Sequence, residues 1–205
     1  MANLAVLFLS LSEKNNLLVD IDILKYPVGK YEAPAEITEE VFNQWIETIR
    51  SLPERVKKMV SNLSYDELEL QYRPGGWNVK QVVHHLADSH MNSFIRFKLI
   101  LTEDNPTIKP YDEAAWAKTA DADNEDIMES IDILEGLHKR WVTLLSSLKE
   151  EHRKRTYFHP EYDREFTLEW MLGLYDWHCK HHLAHIKQAI ELEGEFTPEK
   201  VENNQ

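Results

Sequence analysis

The chain has 205 residues, of which 42% are hydrophobic, and a formal net charge of −13. The length suits a single domain with a core large enough to fold alone, and the apolar content excludes wholesale disorder. The acidic balance excludes a phosphate-tracking surface, so no nucleic-acid partner is expected; the longest basic cluster is Arg153-Lys154-Arg155.

Residues 1–35 read as an appendage. The apolar run from Leu4 to Leu9 is too short to span a bilayer and lacks the preceding Lys or Arg and the cleavage site of a secretory signal. No membrane partner is therefore expected. Tyr26-Pro27-Val28-Gly29 and Ala33-Pro34-Ala35 break any periodicity, so this segment is expected to drape over the domain or to leave residues 1–20 disordered. The chain divides into an N-terminal extension (1–23), a helical bundle (24–194) and an acidic tail (195–205).

Four long segments carry helical periodicity. The first begins after Thr38, with Phe42, Trp45, Ile46 and Ile49 on one face; Pro53 interrupts or kinks it, and Val56, Met59, Val60 and Leu63 continue. Ser64 and Glu67 have capping-box spacing and open a short helical turn. The second starts after the Pro74-Gly75-Gly76 turn, capped by Asn78 with Gln81 three residues on, and runs to about Thr102. The third spans about Asn124 to Lys149, with Ile127, Ile131, Leu134, His138, Trp141 and Leu145 facing inward. Between it and the fourth, Arg155 to Phe166 reads as an extended loop or small hairpin turning at Glu161-Tyr162-Asp163. Thr167 caps the fourth helix, Phe166 is placed to staple onto Met171, and Gly194 ends it. Glycine and strand-like alternation are scarce, so the fold class is all-α, a bundle.

Seven of the ten histidines fall in two windows, His84 to His90 and His178 to His185. The inward stripe of the fourth helix reads Leu168, Met171, Tyr175, His178, His182, His185, Ala189. Imidazoles thus replace hydrocarbon at three successive seam positions, where each unpaired nitrogen costs roughly 1–3 kcal/mol. A cation would satisfy several at once. His178 and His182, four apart, place their rings on one helix face about 6 Å apart, the geometry by which a helix grips one metal. His181 and His185 form a second such pair on another face; both pairs cannot hold one ion, and the stripe favours the first. A third ligand from the second helix is His84 or His85, with periodicity mildly preferring His85; Asp88 is spaced to hydrogen-bond either ring. His90, His138, His152 and His159 read as surface or satisfied core residues, and Trp77, Trp141, Trp170 and Trp177 as core and rim packing, with an aromatic-lined pocket as the alternative.

Three neutral histidines leave a coordination position open, the pattern of a catalytic site. Zinc is the simplest ion, while imidazole also suits nickel, copper and iron. The zinc-protease pattern needs Glu directly after its first His, and here Cys179 stands there, which argues against a protease. No general base is assigned; Asp88 or a loop carboxylate are the candidates. Cys179, the sole cysteine, cannot form an intramolecular disulfide and is read as a small buried bystander, so the reducing cytoplasm is the expected location.

Tyr26-Pro27-Val28-Gly29, the run from Gly75-Gly76-Trp77-Asn78 through His84-His85-Leu86-Ala87-Asp88-Ser89-His90 to Phe97-Lys98, and Trp177 through His185 resemble the YfiT branch of the DinB-like four-helix-bundle superfamily. The resemblance covers about Leu24 to Leu192. It implies a four-helix bundle with a metal site between helices, a cytoplasmic homodimer, and one zinc or nickel ion per subunit. It also implies the ligands: the histidine directly before Leu86, which is His85, with the pair His178 and His182. The N-terminal extension departs from the pattern and leaves these positions intact. The expected function is a metal-dependent hydrolase acting on a small molecule. The alternatives are a bacillithiol-transferase-like enzyme joining a low-molecular-weight thiol to an electrophile, and a non-catalytic metal-binding, stress-related protein.

Overall fold

A computed structural model describes residues 21–124, 126–197 and 200–201. Residues 1–20, and with them the expectation of disorder there, lie outside the described residues. Four long helices dominate: α2 (Glu39–Val60), α4 (Val79–Thr102), α6 (Met128–Ser146) and α8 (Leu168–Leu192). Short elements fill the connections: α1 (Ile21–Lys25), α3 (Tyr65–Leu68), α5 (Glu113–Trp116), α7 (Glu150–Arg153), and the hairpin β1 (Thr156–His159) with β2 (Arg164–Thr167). The two strands are antiparallel, with Tyr157 opposite Phe166, so the alternative of a small hairpin is the one realised.

The helix starts follow side-chain chemistry. Thr38 accepts a hydrogen bond from the Val41 amide, Asn78 and Gln81 close a capping box, and Thr167 accepts from the Trp170 amide. Ser64 and Glu67 form the expected capping box of α3. Phe166 folds back onto the first turn of α8 with its ring 4.1 Å from that of Trp170. The third long helix starts later than its periodicity suggests. The Asn124 side chain accepts from the Asp126 amide and the Asp126 side chain from the Met128 amide, so these residues are spent in local turns before α6 begins. Past Leu192, Glu193 and Gly194 take left-handed conformations (φ 51° and 77°) and end α8.

Pro53 sits inside α2 without breaking it. A proline cannot donate to the carbonyl four residues back, so the Ile49 carbonyl lacks its usual intrahelical donor. That carbonyl accepts from His138 Nδ1 of α6 instead, at 2.6 Å.

α2 packs against α6 and α8, and α4 packs against the same two, so α2 and α4 are diagonal rather than neighbouring. The long connections between successive helices permit this order. The core runs along the axis, with Phe42, Ile49, Leu52, Phe97, Ile131, Leu134 and Trp141 all at most 1% exposed. Residues 24–31 lie along α8: the Trp177 indole donates to the Gly29 carbonyl, Gln188 to the Leu24 carbonyl, and the Tyr31 hydroxyl to the Trp170 carbonyl. Leu24 also packs with Leu192 and Val201, which ties the two ends of the described chain to α8.

Gly173 marks the tightest approach. A Cβ there would lie 2.6 Å from the Tyr31 hydroxyl oxygen and 2.8 Å from the Trp45 ring. Gly173→Ala is therefore expected to destabilise the fold by roughly 1–3 kcal/mol despite alanine's better helix propensity. Thermal unfolding measures this; an unchanged melting temperature would show that the 24–31 segment yields at no cost.

Candidate metal centre

The site lies between α4 and α8, on the wall of a cavity of about 800 Å3. α4 delivers His85 and α8 delivers His178 and His182 one turn apart. One ring nitrogen from each of the three lies within 4.8 Å of the others. His85 Nε2 and His178 Nε2 are 3.2 Å apart, and the His182 ring centroid is 4.8 Å from that of His85 and 4.4 Å from that of His178.

His84 faces the other way. Its Nδ1 meets Ser130 Oγ at 2.8 Å and its Nε2 meets the Asn124 carbonyl at 3.0 Å, so both nitrogens are engaged outside the cavity. Of the two second-helix candidates, His85 is the one whose ring converges with those of His178 and His182. Asp88 is not what orients His84, since both ring nitrogens already have other partners.

Burial keeps the three rings neutral. Desolvation holds His85 down to about 4, with His181 as the lesser cause, and holds His178 and His182 well below the usual imidazole range. Neutral imidazole is the ligand form. Two ring nitrogens facing each other at 3.2 Å, in a pocket where charging is disfavoured, suit a shared cation, and the donor set fits a borderline divalent ion.

His181, His182 and His185 form a second convergent triad, also within 4.8 Å. His185 Nε2 lies 3.1 Å from the Lys25 carbonyl, which can only accept, so the ring carries its hydrogen on Nε2 and its Nδ1 is bare. That Nδ1 faces His182 Nδ1 at 3.4 Å, which places the His182 hydrogen on Nδ1. His182 therefore offers Nε2 as its bare nitrogen and has none for the second triad. His181 is buried and stacks on Trp177 with ring centroids 4.4 Å apart; its Nδ1 has no hydrogen-bond partner.

The cavity walls carry features that periodicity did not single out. Tyr26, Tyr72, Trp77, Tyr162 and Trp177 supply aromatic surface. Lys25, Arg73 and Lys118 line it in a chain of strongly negative net charge. Glu113, on α5, is the one carboxylate lining it among the described residues. Desolvation, then Asp112 and Glu161, raise its carboxyl above the ordinary range. A four-residue helix within a long connection carries no sequence signal that would single out Glu113.

Comparison with known proteins agrees with this architecture. Residues 47–186 match the DinB superfamily model. The chain is 47% identical over 171 residues to the Bacillus subtilis protein described as "Putative metal-dependent hydrolase YfiT", covering 83% of this chain and 96% of that one. It is 49% identical over 162 residues to a similarly described Oceanobacillus iheyensis protein, covering 79% and 93%. The solved structure of Bacillus subtilis YfiT, described as a probable metal-dependent hydrolase with an unusual four-helix bundle topology, superposes with a TM-score of 0.81 at 45% identity, covering 84% of this chain and 98% of that one. With its diagonal α2 and α4 and its histidines converging between α4 and α8, this chain belongs to the DinB superfamily, among the relatives of YfiT.

Proposed function

We propose that this protein is a metal-dependent hydrolase that holds one zinc or nickel ion per subunit with His85, His178 and His182. The observation that carries this reading is the convergence of three neutral imidazoles on the wall of a cavity large enough for a small organic substrate. A divalent ion held there supplies Lewis acidity, acidifying water and polarising the bond to be cleaved. Glu113, on the cavity wall with its carboxyl raised above the ordinary range, is the general base that takes a proton from water and returns it to the leaving group. Lys25, Arg73 and Lys118 attract an anionic group on the substrate, and the aromatic walls cover its organic body. Cytoplasmic location and assembly as a homodimer complete the reading and rest on the family resemblance. Among the described residues no helix is long and apolar enough to cross a membrane.

The second reading is thiol transfer, favoured by the size and basic lining of the cavity, which admit an anionic thiol beside an electrophile. A cation stabilises the thiolate, the nucleophilic form. The two separate cleanly. Metal-loaded protein is mixed with ester, amide and electrophilic alkyl probes, with and without a low-molecular-weight thiol. Hydrolysis without thiol is expected; turnover only with thiol would overturn the hydrolase reading. Glu113→Gln is expected to lower kcat by about 100-fold or more while metal occupancy stays unchanged. Unaltered kcat would remove Glu113 from the mechanism.

A further inference from the structure

Behind the trio stand three further histidines, and they form chains with a direction. His138 Nδ1 lies 2.6 Å from the Ile49 carbonyl, the one left without a helical donor by Pro53. A carbonyl only accepts, so His138 carries its hydrogen on Nδ1, and its Nε2 is bare. His90 Nδ1 approaches that nitrogen at 2.8 Å and must be the donor, which leaves His90 Nε2 bare. His178 Nδ1 lies 3.2 Å from His90 Nε2 and must in turn donate. The consequence reaches the site: His178 Nε2 is a bare lone pair, and it is this atom that faces His85 at 3.2 Å. Ser89 Oγ, 3.5 Å from the same nitrogen, is compatible as a donor. No carboxylate hydrogen-bonds to these rings among the described residues, so nothing supports a second proton on any of them.

The shorter chain does the same for His182. The Lys25 carbonyl fixes His185, and His185 fixes His182 with its hydrogen on Nδ1. Both relays are held rigidly. The His90 and His138 rings stack 4.9 Å apart with the edge of Trp141 against each, and Tyr72 stacks on His185 at 3.7 Å. His90, His138 and His185 are at most 2% exposed, so water does not compete for their nitrogens.

We propose that His138, His90 and His185 are positioning residues: two hydrogen-bond relays, each anchored on a backbone carbonyl, preset His178 and His182 in the tautomer that turns a bare Nε2 toward the cation. This rests on reading the trio as a cation site. His85 is the exception. Facing the bare His178 nitrogen, it carries its hydrogen on Nε2 until a cation replaces that contact, so His85 alone among the three changes tautomer on binding.

Long-range nitrogen–proton NMR correlations of the histidine rings, in chelator-stripped full-length protein, read the tautomers directly. The Nδ1–H form is expected for His178 and His182 and the Nε2–H form for His85, with only His85 switching when zinc is added. Zinc affinity by competition with a chelating dye supplies the second readout. Without His138, His90 is free to turn its hydrogen toward His178; His138→Leu is therefore expected to weaken zinc binding about tenfold and to flip the His178 signature, and His185→Leu to do the same through His182. His138→Gln restores an acceptor for His90 and a donor for Ile49, and is expected to recover parental affinity to within about threefold, judged against the tenfold loss. An Nε2–H signature for His178 in the parent, or a folded His138→Leu with parental affinity, overturns the proposal while leaving the three-ligand site standing. A parent that binds no zinc overturns both. If His138→Leu does not fold, the parental tautomers and the His138→Gln affinity decide the matter.

Discussion

Alanine in place of His178 is expected to strip the divalent ion from the chain. Structural zinc sites bind with about 10–16 kcal/mol, or roughly 3 kcal/mol per ligand, so losing one of three weakens affinity by more than about a hundredfold. His178 also accepts the His85 contact and donates to His90, so its removal disorganises the pocket beyond the lost donor. The measurement is metal content of purified protein, parent beside variant, with helicity checked by circular dichroism. Close to one ion per chain is expected in the parent and little in the variant. His181→Ala is the paired control. The second triad has no bare nitrogen from His182, so occupancy is expected to survive that change. Full occupancy in folded His178→Ala, with loss in His181→Ala, would move the site to His181, His182 and His185.

Acid is expected to unfold the metal-stripped protein well above the range where ordinary carboxylates titrate. His85 and His138 are held down to about 4 and His185 to about 3, in each case chiefly by desolvation. In the unfolded chain these rings titrate near 6.5. Below that pH the unfolded state takes up protons that the folded state refuses. The stability contributed by neutral burial is therefore complete above about pH 6.5 and is lost as the pH falls toward 4. At pH 5 each of the three groups costs about 2 kcal/mol, and together they approach the roughly 5–15 kcal/mol that holds a domain folded. His90, His178 and His182, lowered in the same direction, steepen the loss. Denaturant unfolding at pH 7 and pH 5, with a chelator present, measures it. Equal stability at the two values would show that these rings hold their protons as readily in the fold as in the open chain.

What could be read from the residues was whatever has local periodicity or a cap. Thr38, Asn78 with Gln81, and Thr167 announce three of the long helices because a side chain and an amide three residues on suffice to make each cap. The seam of α8 was readable because three imidazoles at seam spacing are chemically out of place in a hydrocarbon stripe. Periodicity could not separate His84 from His85, since both lie on the buried part of α4 and differ only in which neighbouring helix they meet. The later start of α6 escaped notice because its first apolar positions keep helical spacing while Asn124 and Asp126 divert the backbone. The diagonal order of α2 and α4 depends on how long connections cross the bundle, which no local pattern encodes. The residues alone leave His90 and His138 as surface or satisfied core positions; the structure places both in the core, where their partners lie on separate helices and one anchor is a backbone carbonyl. A carbonyl freed by Pro53 or offered by Lys25 has no side-chain identity to read.

Next to His178, the Cys179 thiol is completely buried, and desolvation with the nearby Asp176 carboxylate pushes it far above the ordinary thiol range. Buried and held in its protonated form, the sole sulfhydryl is sealed from capping by reagents in solution. The same seclusion makes that sulfur a reporter: a disulfide reagent can label it no faster than α8 lifts from the bundle, so labelling kinetics become a clock for the unpacking of the helix that bears four of the ten imidazoles, His178, His181, His182 and His185.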